Sequence, residues 1–242
     1  MKSTVEQIRQ RFDNDVERFS NLETGQSATM DAPLCLELVT SAAAVVTPHA
    51  RTVLDIGCGA GNYTLKMLQK APNLDCTLMD LSQPMRVRAH QRVSAATSGV
   101  VTTLQTDVRT AIVAPESIDI ILAAAVLHHL RTDQQWRQVF SSILQWLRPG
   151  GSFWIFDYLE QSTPPIQQLM RQRHGEYLSE LKGGGEIGEK YRDSVFAYIE
   201  AEDTPRPLLW QIKVLSEVGF ADIEILHKNG PFAAFGGRKA QM

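Results

Sequence analysis

The chain has 242 residues, with 24 lysines and arginines against 27 aspartates and glutamates, for a formal net charge of −3 at pH 7. This length suits one compact domain with additional segments joined to its core. The basic residues are scattered along the chain, which disfavours the positively charged surface that nucleic-acid binding requires.

The apolar segments of the sequence are short. None reaches the roughly 18 apolar residues needed to cross a bilayer, and Met1 to Phe19 is charged throughout, without the apolar core of a secretory signal. Cys35, Cys58 and Cys76 have neither an even count nor metal-site spacing. We therefore expect a cytoplasmic protein with no membrane partner and no bound metal.

The first 50 residues are predicted to be mainly helical and to cover a site. Apolar residues recur there at a spacing of three to four, as on one face of a helix: Val5, Ile8, Phe12, Val16 and Phe19. The polar stretch 21–31 that follows is rich in turn-forming residues, and we interpret it as a mobile part of this cover.

Residues 51–157 alternate short apolar runs with helical patterns, which is typical of parallel βα units. The strands are nearly continuous in apolar residues, as expected when helices cover both faces of a sheet. The predicted strands are Thr52 to Ile56, Cys76 to Met79, Val101 to Gln105, Ile118 to Ala123 and Ser152 to Phe156. The predicted helices are Tyr63 to Lys70, Pro84 to Ala96 and Gln134 to Leu147, the last ended by Arg148-Pro149-Gly150-Gly151.

The rest of the chain is predicted to add a helical lid and to complete the sheet. Residues 158–202 contain a helical pattern interrupted at Gly183 to Gly185, which we interpret as a lid insertion. Residues 203–242 return to the core with a helix and then two strands, Asp222 to Leu226 and Phe232 to Phe235, that a tight link joins as an antiparallel pair.

The strongest functional motif joins the first predicted strand to the first helix of this core. It reads Gly57-Cys58-Gly59-Ala60-Gly61. Closely spaced glycines permit a tight turn and a close approach of backbone to a ligand, so the motif predicts a nucleotide-type ligand rather than a turn alone. A dinucleotide fingerprint would have its third glycine at position 62, where the chain has Asn62, and NAD is therefore disfavoured.

Acidic residues follow successive strands of the predicted sheet. Asp80 is placed to accept hydrogen bonds from both ribose hydroxyls, and its alternative role is to cap the next helix, for which Ser82 is better suited. Asp107 can accept from the exocyclic amine of adenine while the amide of Val108 faces the ring; an ordinary loop acid is the alternative. Because ligands bind open α/β sheets at the carboxyl ends of the strands, these acids should converge on one crevice.

These motifs, together with the fourth-strand segment 123–130 and the Leu147–Gly151 turn, resemble class I S-adenosylmethionine (SAM)-dependent methyltransferases over about residues 50–160. The resemblance implies a single SAM-binding domain over 1–242. Its fold would be a Rossmann-like, seven-stranded, mostly parallel sheet with an antiparallel last strand and helices on both faces. It further implies that SAM is the cofactor and that a cofactor-binding set surrounds it: Asp55 near the methionine end, Gly57, Cys58, Gly59 and Gly61 in the loop, Asp80 at the ribose, Leu81 and Met85 beside the adenine, Asp107 and Val108 at its edge, and Ala124.

The residues that bind or activate the acceptor are less marked in the sequence. His128, just past the fourth strand, is the candidate catalytic residue, because a histidine titrates near neutral pH. Tyr158, His174 and Arg192 are the candidate substrate contacts, and Arg192 is chosen for an acceptor that carries a carboxylate.

Segments 11–16 and 215–220 are similar to small-molecule methyltransferases of the ubiquinone-biosynthesis type and, more loosely, to carboxy-SAM synthases of tRNA wobble-uridine modification. We therefore expect methyl transfer to a small-molecule acceptor. A carboxy-SAM synthase-like enzyme and a non-catalytic SAM-binding subunit are the alternatives, and a homodimer is left open.

Overall fold

The apolar runs of the sequence form strands that lie side by side. The computed structural model describes residues 2–21 and 25–241, so part of the predicted mobile stretch, residues 22–24, lies outside the described residues. The strands are β1 (Thr52–Ile56), β2 (Asp75–Met79), β3 (Val101–Leu104), β4 (Ile118–Ala124), β5 (Leu147–Tyr158), β6 (Phe220–Asn229) and β7 (Phe232–Lys239). Over the described ranges they form one seven-stranded sheet in the order β3-β2-β1-β4-β5-β7-β6.

Strands β1 to β5 pair in parallel, whereas β7 runs antiparallel to both of its neighbours, β5 and β6. A tight turn at Gly230 joins β6 to β7, and its φ of +52° is a conformation that glycine adopts without strain. The predicted fold class is therefore confirmed, including the antiparallel last strand.

Helices cover both faces of this sheet. They are α1 (Val5–Asp13), α2 (Val16–Ser20), α3 (Ala32–Val46), α4 (Asn62–Lys70), α5 (Gln83–Ser94), α6 (Asp133–Trp146), α7 (Pro164–Glu180), α8 (Gly185–Glu202) and α9 (Leu208–Val218). Alternate residues of β5 divide between the two core layers. Trp154 belongs to the core layer that includes residues of α3, α4 and α5, and Phe153 belongs to the layer that includes residues of α6 and α9.

The start of β5 differs from its prediction. The sequence suggests a turn at Arg148–Gly151 and a strand from Ser152, but the strand begins at Leu147, which is paired with Ile118 of β4. Gly151 makes this possible, since a Cβ there would lie 2.8 Å from the carbonyl oxygen of Asp119 on β4. Only a glycine allows the two backbones to approach so closely.

Helices α1, α2, α7 and α8 lie above the carboxyl ends of the parallel strands. The first and last of these are tied together, because Arg11 of α1 donates to both carboxylate oxygens of Glu202 of α8, at 2.8 and 2.6 Å. Among the described helices, none combines the length and the apolar character that a membrane crossing would require.

Candidate functional site

The loop between β1 and α4 forms the floor of a cavity of about 1190 Å³, here called the glycine-loop cavity. Its walls come from the segments after β2, β3 and β4, and its roof includes Ile8 and Phe12 of α1. Most of the predicted cofactor-binding residues line it: Asp55, Gly57, Cys58, Gly59, Asp80, Leu81, Met85, Asp107, Val108 and Ala124.

The glycines of the loop have different structural roles. Gly59, with a φ of +48°, has no atom within 4 Å of the position its Cβ would occupy, so its backbone is open to the cavity. Gly61 does not line the cavity, which differs from its predicted cofactor contact. A Cβ there would lie 3.1 Å from Val93 and 3.3 Å from Ala89, and so Gly61 allows α4 to pack closely on α5.

Asp80 is buried at the end of β2. Its Oδ2 accepts a hydrogen bond from the Gly59 amide at 2.9 Å and its Oδ1 accepts from the Ser82 amide at 2.8 Å. Each oxygen keeps a lone pair for a ligand. Burial raises the pKa of Asp80 despite these bonds. Ser82 caps α5 by accepting from the Met85 amide at 3.3 Å, so the capping alternative for Asp80 is wrong.

Asp107 is held by its neighbour Arg109. Its Oδ1 accepts from the Arg109 amide at 2.9 Å and from Nε at 2.8 Å, while its Oδ2 pairs with the guanidinium. Burial alone would raise the pKa of Asp107, but the bonds from Arg109 outweigh it and lower the pKa. The carboxylate therefore remains an ionised acceptor, fixed in direction at the cavity wall.

Asp55 is buried below the glycine loop and accepts a hydrogen bond from the Thr64 hydroxyl at 2.7 Å. Burial raises the pKa of Asp55 to about 7, against the effect of the Thr64 bond. A cationic group brought next to this carboxyl would favour its ionised form.

A second cavity, of about 790 Å³, adjoins the first and is here called the aromatic cavity. Aromatic rings from α1, α2, β5, α7, α8 and β7 line it: Phe12, Phe19, Phe156, Tyr158, His174, Tyr191, Tyr198 and Phe232. Five residues line both cavities and form their common wall: Phe12, Phe19, Gln26, Ala125 and His129.

Three of the predicted catalytic and substrate residues line the aromatic cavity: His128, Tyr158 and His174. His174 is fixed by a 2.9 Å hydrogen bond between its Nε2 and the carbonyl oxygen of Ala28, and burial lowers its pKa. Burial raises the pKa of Tyr158 to about 12, so its hydroxyl remains protonated at neutral pH.

His128 lies between two carboxylates that sequence reasoning missed. Its Nδ1 contacts Oδ1 of Asp157, and its Nε2 is 3.6 Å from Oδ1 of Asp203. Burial lowers the pKa of His128, but the charges of Asp203 and Asp157 outweigh it and raise the pKa to about 9. Asp157 could have been found from its position at the end of β5, whereas Asp203 follows α8 and approaches His128 only in the folded chain.

Arg192 is placed differently from its prediction, because it lines neither cavity. It lies on α8 and is partly exposed, and its Nε donates to the neighbouring Asp193 at 2.9 Å. Its side chain packs against α7, where a Cβ on Gly175 would lie 3.1 Å from the Arg192 Cδ. Arg192 therefore packs on α7 beside Phe196, and its side chain does not reach the aromatic cavity.

The glycine-loop cavity fits SAM. The open backbone at Gly59 leaves room for the methionine part, and the free lone pairs of Asp80 suit a pair of ribose hydroxyls. The ionised carboxylate of Asp107 suits an exocyclic amine.

Comparison with known proteins agrees with this fit. Residues 53–151 match the family model described as "Methyltransferase domain". A malonyl-[acyl-carrier protein] O-methyltransferase from Paenibacillus sp. is 36% identical over 102 residues, covering 41% of this chain and 36% of the relative. A trans-aconitate 2-methyltransferase from Azoarcus sp. is 29% identical over 170 residues, covering 70% of this chain and 63% of the relative. This chain thus spans less than two thirds of the length of either relative.

Solved structures share the fold at low sequence identity. An O-methyltransferase family protein from Burkholderia thailandensis superposes with a TM-score of 0.62 at 18% identity, covering 96% of this chain and 62% of that one. Human N-acetylserotonin methyltransferase in complex with SAM gives a TM-score of 0.56 at 18% identity, covering 95% and 66%. The matched sequence, the sheet order and the cavity together show that residues 53–151 resemble a methyltransferase domain, in a chain with the fold of SAM-dependent methyltransferases and with SAM as its cofactor.

Proposed function

We propose that this chain transfers the methyl group of SAM to a small molecule bound in the aromatic cavity. The observation that carries the proposal is the common wall of the two cavities, which Phe12, Phe19, Gln26, Ala125 and His129 form. An acceptor in the aromatic cavity would therefore lie next to the cofactor, and placing the reactants side by side is the main task of a methyltransferase. SAM supplies an activated methyl group when it is bound.

The cofactor-binding set of the proposal consists of the residues that line the glycine-loop cavity. Asp80 would accept from the ribose and Asp107 from the adenine amine, because both carboxylates keep free lone pairs directed by their existing bonds. Leu81 and Met85 line the same cavity and supply apolar contacts for the base. Asp55 would lie near the methionine end, where a positive ammonium group would favour its ionised form.

On the acceptor side, we assign the principal contact to His128. Asp157 holds its Nδ1, so Nε2 is the nitrogen left to meet an acceptor. Since its raised pKa keeps the ring protonated at neutral pH, His128 would donate a hydrogen bond to an oxygen of the acceptor rather than act as a free base. The aromatic rings around it favour a flat or apolar acceptor body.

The relatives named above act, by their names, on a malonyl group and on trans-aconitate. Both of these acceptors carry carboxylates, and an imidazolium at the centre of the acceptor site is compatible with such a group. The carboxy-SAM synthase alternative gains no support, because Arg192, the expected carboxylate contact, lines neither cavity.

The proposal is tested by calorimetric titration with SAM, followed by transfer of a labelled methyl group from SAM to a panel of oxygen, nitrogen and carbon acceptors. His128→Gln should lower transfer while leaving SAM affinity unchanged, and His227→Gln, on the surface of β6, is the matched control. SAM binding without transfer to any acceptor would favour the non-catalytic subunit. Consumption of prephenate with a carboxylated SAM product would favour the synthase.

A further inference from the structure

Three side chains meet at one wall of the aromatic cavity in a way that methyl transfer alone does not explain. Oδ1 of Asp203 is 3.6 Å from Nε2 of His128 and 3.4 Å from Nδ1 of His129. Asp203 Oδ1 and both nitrogens of His129 are buried, and none of them has a hydrogen-bond partner among the described residues. Buried polar atoms are nearly always satisfied, and an ion is one of the groups that satisfies them.

The spacing of these atoms fits a tetrahedral metal site. An ion at about 2.0–2.2 Å from each ligand, in a tetrahedron, holds neighbouring ligand atoms about 3.3–3.6 Å apart. The distances from Asp203 to His128 and His129 lie in or at the edge of this range. All three ligand atoms lie within 4.8 Å of one another.

The surroundings orient these ligands. Asp157 holds Nδ1 of His128 and leaves Nε2 directed toward Asp203, which is the arrangement that carboxylates give to metal-binding histidines. The two histidines share one 3₁₀ turn, Leu127–His129, and the Thr204 amide donates to the His128 carbonyl oxygen at 2.7 Å. This backbone bond holds the segment that carries Asp203 beside the turn.

Two arginines lie near these side chains, and Arg11 is the one paired with a carboxylate. Arg11 is paired with both oxygens of Glu202, and Arg131 donates to the Glu202 carbonyl oxygen and, at 3.0 Å, to the Thr204 hydroxyl. Oδ1 of Asp203, which faces both imidazoles and accepts no hydrogen bond from the described residues, keeps its negative charge available to a cation.

We propose that Nε2 of His128, Nδ1 of His129 and Oδ1 of Asp203 bind a divalent transition-metal cation, with zinc as the first choice for two imidazoles and a carboxylate. These residues line the aromatic cavity, so the remaining coordination position faces it and is available to an oxygen of the acceptor. The cation takes the place of the proton on Nε2 of His128. The identity of that oxygen ligand rests on the proposed function, whereas the metal site itself does not.

The test is a titration of chelator-treated protein with Co²⁺, followed by visible absorption, because four-coordinate Co²⁺ absorbs far more strongly than the hydrated ion. We expect saturation at a single ion per chain and displacement by Zn²⁺. Asp203→Asn and His129→Gln should weaken Co²⁺ binding by about 100-fold or more. His227→Gln removes a histidine from another histidine–aspartate contact, 2.8 Å from Asp31, and should bind Co²⁺ as the wild type does.

The absence of a saturable band in the wild type, or equal affinity in Asp203→Asn, would overturn the metal site. The wild-type titration is decisive by itself if the variants do not fold. SAM titration and methyl transfer on the same metal-free sample separate the two proposals: normal binding and transfer without a Co²⁺ site would overturn this inference alone, whereas loss of SAM binding would overturn the proposed function.

Discussion

Replacing Asp157 by asparagine should destabilise the protein by about 2–4 kcal/mol. The carboxylate is buried and accepts four hydrogen bonds. Its Oδ1 accepts from the Tyr158 amide at 2.8 Å and from His128 Nδ1, and its Oδ2 accepts from the Leu127 amide at 2.9 Å and from the His128 amide at 3.2 Å. An asparagine has only one acceptor oxygen.

Whichever way the new amide turns, its NH₂ group therefore faces at least one backbone N–H that loses its acceptor. A buried donor left unpaired costs about 1–3 kcal/mol, and a lost bond to a charged group adds about as much. For a chain of this size the melting temperature should fall by roughly 4–16 °C.

Urea denaturation and thermal melting of the wild type and Asp157→Asn measure this loss. Asp222→Asn is the matched control, because Asp222 is exposed and its ion pair with Arg238 lies at the surface. That change should stay within about 0.5 kcal/mol of the wild type. If Asp157→Asn is as stable as the control, the carboxylate does not organise the His128 turn, and the reasoning on His128 is refuted.

The other predictions concern the cofactor, pH and motion. Asp80→Asn should raise the calorimetric Kd for SAM by about 10–100-fold, since it removes a charged acceptor, and an unchanged Kd would contradict the ribose contact. Burial raises the pKa of Asp55 from 3.8 to about 7. The contribution of this carboxyl to the free energy of unfolding is therefore fully present below pH 3.8, and it is lost as the pH rises through about 7. The melting temperature of Asp55→Asn should therefore fall less than that of the wild type from about pH 5 to 8, and parallel curves would oppose this. Residues 160–200, which contain the glycine run 183–185, should show stronger hydrogen-exchange protection with ligand than without, and equal protection would exclude a hinged lid.

The sheet and the glycine-loop cavity could be predicted because their signals are local. Each buried parallel strand is a short apolar run, and the residues that follow it necessarily reach the same edge of the sheet. Asp80 and Asp107 were therefore expected at the cavity wall, and both line it. The early start of β5 was missed, since Gly150 and Gly151 read as a turn, although Gly151 instead allows two strands to approach closely.

The acceptor side depends on contacts between distant segments, which local patterns do not encode. Asp203 comes within 3.6 Å of His128 because the end of α8 crosses the 3₁₀ turn, and nothing in the residues around Asp203 signals this crossing. The charge and length of Arg192 suggested a carboxylate contact, but its side chain lies outside both cavities. The prediction of no metal rested on spacing along the sequence, which cannot reveal a cluster completed by Asp203.

The ion pair between Arg11 and Glu202 joins α1 to α8 directly beside both cavities. Phe12, the next residue of α1, lines both of them. A movement of α1 that admits a molecule to one cavity therefore also changes the other. Where both ligands favour the same position of α1, each raises the affinity for the other by the same factor, because such coupling is reciprocal. The helix would make the two binding events cooperative, and a substitution that removes the ion pair would reduce that cooperativity.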